Sequence, residues 1–439
     1  MKKLLIAGFI LSMPFTNYAQ FSDFLNRAKA KVNTRINNKA DQAVDKTLDR
    51  IEGKVTEPPK TQPVKETKSA ASQPATAAVV KEEVVVEKPA TITSYSKFDF
   101  VPGEKIIYAE DFSQDAVGEL PVNWNASGKG EVMTLEGKEG KWLRAFQNNT
   151  YLSGITKPLD ENFTIEFDMI YYFKPIKSGY ALPDVSFGFF STGKENNSDN
   201  KFLKNYQSIN CISATINSYG SGGARLISSK GGASTFSSDR VTLNDFSNDF
   251  NKPLHYSMQV QKQRFRLWIN EAKVFDIPRA VNTGDVMNQL FFHFDGSNYK
   301  DEEVGLFIKN LKVATGLPDT RHKLIDEGKF STTGILFDIN SAVVKQESYG
   351  VIKEIATALK ENPTVKIKVI GHTSNDGDAA ANLELSKQRA AAVKDLIVKE
   401  YGIDAASITT DGKGSTQPIG DNKTKEGKVQ NRRVEFVKL

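Results

Sequence analysis

Glu166-Phe-Asp168 sets two carboxylates two residues apart. On a strand, residues i and i+2 share a face, so the pair could take the acid and nucleophile roles of a retaining glycosidase. No third acid follows, because Ile170, Tyr171 and Tyr172 occupy the next positions. The pair is therefore read as two acids on the outer face of a half-buried strand. Sugar binding would want exposed aromatic faces with Asp or Asn beside them. Trp124, Trp142, Tyr171, Tyr172 and Trp268 are candidates, as is Asp295-Gly-Ser-Asn298, although most aromatics in a β-rich fold belong to the core. Asp295, Asn298 and Asp301 would also permit a calcium site, without forming a recognised loop. Cys211, in Ile209-Asn-Cys-Ile, has no histidine and acid around it in sequence and reads as a buried strand residue. His255, His293, His322 and His372 make no HExxH motif or close pair, so no metal or cofactor is expected. A single cysteine excludes an internal disulfide framework. A formal net charge of +5 over 439 residues gives no support to a nucleic-acid partner.

These residues must be held by several units, because the chain is too long for one domain and its composition shifts along its length. Residues 1–19 read as a signal peptide: Lys2-Lys3, an apolar run over 4–15, and Ala19 before the cleavage point. No cysteine lies there to carry a lipid anchor. Residues 20–53 read as an amphipathic helix, with Val32, Ile36, Ala40, Val44, Leu48 and Ile51 recurring every three or four positions and Gly53 ending it. Residues 54–93 hold Pro58, Pro59, Pro63, Pro74 and Pro89 and read as a disordered, extended linker.

Residues 94–316 carry short period-two runs, such as 163–170, 255–260 and 264–268, divided by Gly, Asn, Asp and Ser. That pattern predicts an all-β sandwich. Asn270-Glu271 should turn the chain into a hairpin. From 325 to 439, strands at 334–337, 365–370, 408–410 and 433–437 alternate with helices at 343–360 and 380–401. This predicts a small α/β domain with a mixed sheet, in which 412–430 is a polar surface loop.

Four motifs fall in order within that last unit: Leu336-Phe-Asp-Ile-Asn-Ser-Ala342, Ile370-Gly-His-Thr373, Asn382-Leu-Glu-Leu-Ser-Lys-Gln-Arg-Ala-Ala391 and Asn431-Arg-Arg-Val-Glu-Phe436. Together they make residues 325–439 resemble the C-terminal domain of the OmpA family, which binds peptidoglycan noncovalently. The resemblance implies a stem peptide containing diaminopimelate as ligand. Its ammonium wants a fixed acid and its carboxylate an arginine fork. In the family the acid follows GHT, and the arginine lies in LSxxRA on the next helix. Here the arginine is Arg389, but Ser374 stands at the acid position and carries no charge.

Two readings compete. In one, Asp376 replaces the missing acid; in the other, Asp378 caps the helix and Asp376 is merely solvated. Thr373, Asn375 and Asn382 complete the implied ligand-binding set, together with Arg433, which takes the place of the family's more regular arginine. Plainer roles are open to two of them: loop hydrogen bonding for Asn382 and a strand-end salt bridge for Arg433. His372 is expected to be structural.

Residues 94–316 resemble the concanavalin A-like (laminin G-like) jelly roll. The opening Asp111-Phe112, the strand 163–170, the hairpin 264–275 and the closing Gly305-Leu-Phe-Ile-Lys-Asn-Leu-Lys-Val313 carry that likeness. The glucanase branch of that fold sets a further glutamate on the acid-bearing strand, and none stands here. The expected protein is an exported, non-enzymatic protein of the periplasm, associated with the outer membrane or cell wall. Its C-terminal domain grips peptidoglycan and its linker gives reach. Its sandwich and first helix contact an outer-membrane protein complex or a glycan. Two alternatives stay open: a wall-anchored glycan-degrading enzyme with its active site in the sandwich, or a scaffold whose wall-binding site has degenerated at Ser374.

Overall fold

The structure, a computed structural model, describes residues 98–439 apart from 175–179, 218–221, 245 and 318. The expected signal 1–19, helix 20–53 and linker 54–93 lie outside the described residues.

Residues 105–315 form two antiparallel sheets over one core. The first runs in the order Ala272–Ile277, Arg264–Ile269, Pro253–Gln261, Asn162–Phe173, Val304–Thr315, Lys138–Ala145 and Gly130–Leu135. Lys105–Glu110 pairs with the far end of Val304–Thr315. The second runs Ala233–Ser237, Gly223–Lys230, Cys211–Asn217, Val185–Phe190, Gln289–Phe294, Asn149–Leu152 and Asn125–Ala126, with Val241–Thr242 beside Gly223–Lys230. Phe163 and Phe167 of the first sheet meet Phe189 and Phe187 of the second edge to face, at 5.0 and 5.2 Å between ring centroids. Pairs of this kind join the sheets through one apolar interior.

Alternation places the side chains as the sequence predicts. Phe265 and Leu267 face the core, while Arg264 and Arg266 turn outward to Asp276. Asn270 takes φ 48° at the hairpin turn, which an asparagine tolerates.

Trp268, one of the candidate sugar-stacking rings, is a core residue instead. It lies on the arginine face, yet it is only 1% exposed. Phe98 and Phe100 pack on its ring, and its Nε1–H donates to Asp99. Trp124, Trp142 and Tyr171 are buried as well, so four of the five candidate sugar-stacking rings are structural.

Residues 98–103 explain that burial. The Gly103 N–H donates to Thr164 Oγ1 and the Gln259 amide to the Val101 carbonyl, so this segment crosses the outer face of the first sheet. Val101 then enters the apolar core of the C-terminal domain. A Cβ on Gly350 would come within 2.2 Å of the Phe100 carbonyl oxygen, so the Tyr349–Glu361 helix needs glycine where this segment passes.

The C-terminal domain is a four-stranded mixed sheet ordered Lys329–Thr332, Val434–Lys438, Ile367–His372 and Ile408–Gly414, of which only the last two run parallel. The helices Tyr349–Glu361 and Ala379–Tyr401 contribute Ile352, Ile355, Val393 and Ile397 to its core. Gly402, in the left-handed region at φ 67°, ends the longer helix. Two expected elements differ. The strand expected at 334–337 is replaced by Lys329–Thr332, leaving Phe337 only an isolated bridge to Val344. The polar stretch 412–430 is not all loop, because Lys425–Asn431 is a helix that Thr424 caps through the Gly427 N–H.

That short helix gains its stability from docking rather than propensity. Lys425 pairs with Glu110 and Asp115, and Val429 packs on Ile106, Ala109 and Ala314. The Glu426 carboxylate accepts the Ala109 N–H at 3.2 Å. One helix of the C-terminal domain is thereby seated on the edge strand of the two-sheet region.

Candidate functional site

The strand Ile367–His372 delivers the chain to a loop that ends at the N-cap of the long helix. Thr373 continues the strand pairing by donating its N–H to the Gly414 carbonyl. Ser374 is buried, and its hydroxyl donates to Asp376 Oδ2 at 2.9 Å. Asp376 Oδ1 accepts from Lys428 Nζ at 2.6 Å, and Arg432 stands 3.7 Å from Oδ2. Partial burial alone would raise the Asp376 pKa, but Lys428, Ser374 and Arg432 outweigh it and hold the carboxyl below its usual range. Asp378 caps the helix, accepting the Ala381 N–H at 2.8 Å. The Asn382 amide donates to the Asp376 carbonyl, and the exposed Asn375 donates its N–H to Asn422 Oδ1.

Arg389 lies three turns into the helix and reaches across to the loop at 336–345. Its Nε–H donates to the Ser341 carbonyl at 2.9 Å, one Nη points to the Asp338 carbonyl at 3.5 Å, and its guanidinium lies 4.9 Å over the Phe337 ring. Among the described residues no carboxylate lies within 4.0 Å of it, and Glu384 bonds Gln388 instead. Desolvation first, and the Arg432 charge second, lower its pKa.

The adjacent arginines of the last motif part company. Arg433 is buried and donates twice to Glu435 Oε1, at 2.9 and 2.7 Å, and once to the Gln417 carbonyl. It stands on the interior face with Glu435, two residues on, which is the spacing that pairs them. Arg432 is the residue that reaches the site, flanked by Asp376 and by the charge of Asp111 from the two-sheet region. His372 is buried with Nε2 3.6 Å from Glu435. Lys428 had no sequence signal, because the helix that presents it reads as loop, whereas Arg432 stood in the last motif beside Arg433, where strand alternation lets at most one of the two point to the site.

The Glu166–Asp168 pair does share a strand face, but both acids are engaged. Lys312 Nζ sits 2.8 Å from Glu166, His255 Nδ1 2.7 Å from Asp168 Oδ1, and the Asn310 amide 2.6 Å from Asp168 Oδ2. A bulge at Asn310, φ 54°, shifts the register between Lys309 and Lys312 and aims that amide. Burial alone would lower the His255 pKa, yet Asp168 and Glu166 push it up to about 9. A histidine raised above its unfolded value of 6.5 stabilises fully below that pH and less as pH rises through about 9. Urea midpoints are therefore expected to fall across that window for the wild type, and His255→Gln should flatten the fall. An unchanged pH dependence in the variant would contradict the assignment.

Elsewhere, Cys211 is buried at the start of the strand Cys211–Asn217, and burial pushes its thiol pKa up, which disfavours the thiolate. The Asp295–Asn298 loop borders an open polar cavity of about 850 Å³, with Asn148, Asp184 and Asn217 on its other walls. Burial, with Asp295 adding to it, raises the Asp184 pKa. Among the described residues, no three His, Cys, Asp or Glu side chains gather as a metal site, and no helix is long and apolar enough to cross a membrane.

Fold and site define a small mixed α/β domain whose loop 373–378 is flanked by the cations Lys428 and Arg432. The OmpA family profile matches residues 336–432. Outer membrane porin F of Pseudomonas aeruginosa is 42% identical over 101 residues, which make up 23% of this chain and 29% of the porin. The outer-membrane lipoprotein YfiB of the same organism is 34% identical over 144 residues, 32% of this chain and 83% of YfiB. Among solved structures, the peptidoglycan-associated lipoprotein from Burkholderia pseudomallei is 27% identical over 25% of this chain and 89% of that one, with a TM-score of 0.23. The chain belongs to the OmpA family. It spans less than a third of porin F, and the family match leaves the two-sheet region outside it.

Proposed function

We propose that this is a non-enzymatic cell-envelope protein that binds peptidoglycan noncovalently through residues 325–439, at the diaminopimelate of the stem peptide. One observation carries the reading. Arg389 is fixed by two backbone carbonyls and a ring while no carboxylate of the described chain takes its charge. A guanidinium held in place with free donors is a preorganised receptor for a ligand carboxylate. Thr373, Ser374, Asn375 and Asp376 in the loop, and Asn382 in the first turn of the helix that carries Arg389, complete the proposed ligand-binding set. Family membership supports the ligand class, and relatives named as outer-membrane proteins support an exported protein at the outer membrane and wall.

The two-sheet region, in this reading a concanavalin A-like jelly roll, presents a glycan or an outer-membrane protein complex to that anchor. The polar cavity beside Asp184 and Asp295 supports the glycan, since amides and carboxylates on a concave wall suit sugar hydroxyls. The glycosidase alternative loses ground at Glu166 and Asp168, whose oxygens are already taken by Lys312, His255 and Asn310.

Co-sedimentation of the full chain with purified sacculi tests the reading. The protein is expected in the pellet and should be released by soluble stem peptide. A chain that stays in the supernatant overturns it in favour of the scaffold.

A further inference from the structure

A ligand bearing an ammonium beside its carboxylate needs an acid as well as an arginine. At this site the acid is spoken for. Ser374 is uncharged and spends its own proton on Asp376. Asp376 already holds Lys428 at 2.6 Å and stands 3.7 Å from Arg432. Lys428 is not free to swing away with its segment, because Lys425 and Glu426 of the same helix are fastened to Glu110 and the Ala109 N–H. The side chain of Lys428 thus occupies the place that a ligand ammonium would take.

Charge placement points the same way. Lys428 and Arg432 both stand against Asp376, and the Arg432 charge is also felt at Arg389, so the carboxylate that a ligand ammonium would need already serves two cations. An added ammonium would enter an excess of positive charge, whereas a lone carboxylate would relieve it. Acylation of the diaminopimelate side-chain amine, as occurs at a cross-link, removes that ammonium. It leaves the neighbouring carboxylate and supplies an amide N–H that the Ser374 oxygen can accept.

We propose that this site selects diaminopimelate whose side-chain amine is acylated, and so recognises cross-linked stems in preference to free ones. The proposal rests on the wall-binding reading above. Lys428 acts as a built-in competitor for the ligand ammonium, and Ser374 suits the amide that replaces it.

The test titrates the full chain with two synthetic stem peptides, identical except that one carries a free diaminopimelate amine and the other its N-acetyl derivative. Wild type is expected to bind the acetylated peptide about tenfold more tightly. Lys428→Met, which frees Asp376, and Ser374→Asp, which restores an acid by a second route, should each shift the preference toward the free amine. Equal or tighter binding of the free-amine peptide by wild type overturns the proposal, as does an unchanged ratio in both variants. Sacculi that still pellet in that case leave wall binding standing. If neither peptide binds and sacculi do not pellet, both fall together.

Discussion

Replacing Arg433 with alanine is expected to lower the unfolding free energy by about 3–5 kcal/mol, the usual effect of stranding a buried charge. Glu435 is only 5% exposed, and one of its oxygens accepts two bonds from Arg433. Lys329 at 2.9 Å would be left as its main partner, reaching in from the sheet edge. Burial alone would raise the Glu435 pKa, but His372, Lys329 and Arg433 together hold it well below the usual carboxylate range. A depressed carboxylate stabilises above its unfolded value of 4.5 and loses that contribution as pH falls toward its folded value. Urea unfolding should therefore show the Arg433→Ala deficit at neutral pH and a smaller one in acid. Glu435→Gln added to Arg433→Ala should recover part of the loss, since the uncompensated charge is gone. A deficit under 1 kcal/mol would show that Arg433 is not the partner that keeps Glu435 charged.

Arg389→Ala is expected to weaken binding to sacculi by about tenfold to a hundredfold, from the 1.5–3 kcal/mol typical of a hydrogen bond to a charged group. Stability should hardly change, because Arg389 bonds two loop carbonyls rather than a buried acid. Arg389→Lys should not restore affinity, since an ammonium lacks the fork and stacks less well on Phe337. Binding isotherms by co-sedimentation, with melting curves beside them, separate the two effects. Affinity within twofold of wild type in Arg389→Ala would remove this residue from the site.

Much of the C-terminal domain was legible because its signals are local. The apolar spacing of Ile352, Ile355 and Leu359 and the cap Asp378 ahead of the long helix need no tertiary knowledge. The motif around Arg389 is also what marks it as the candidate carboxylate-binding residue. What escaped depends on partners distant in sequence. Glu166, His255 and Lys312 meet only because strand register sets Glu166 opposite Lys312 and Asp168 opposite His255. Trp268 read as an outward ring because nothing local announces that Phe98 and Phe100 return to cover it.

The Lys425–Asn431 helix was missed for a related reason. It carries Gly427 in its interior, where a Cβ would come within 2.0 Å of the Asp421 carbonyl oxygen. Its propensity is poor and its docking good, and only the second is invisible in sequence. Lys428, which that helix presents to Asp376, was lost with it. Arg433 followed the family pattern into the ligand-binding set, although its plainer role, a salt bridge, was open in the sequence, where Glu435 stands two residues on and on the same strand face.

The most direct measurement is a crystal structure of the full chain with a diaminopimelate-containing stem peptide bound. The account predicts a peptide carboxylate within hydrogen-bonding distance of the Arg389 guanidinium, beside Ser374, with Lys428 still on Asp376. Peptide bound elsewhere, with Arg389 touching only the Ser341 and Asp338 carbonyls, would contradict it.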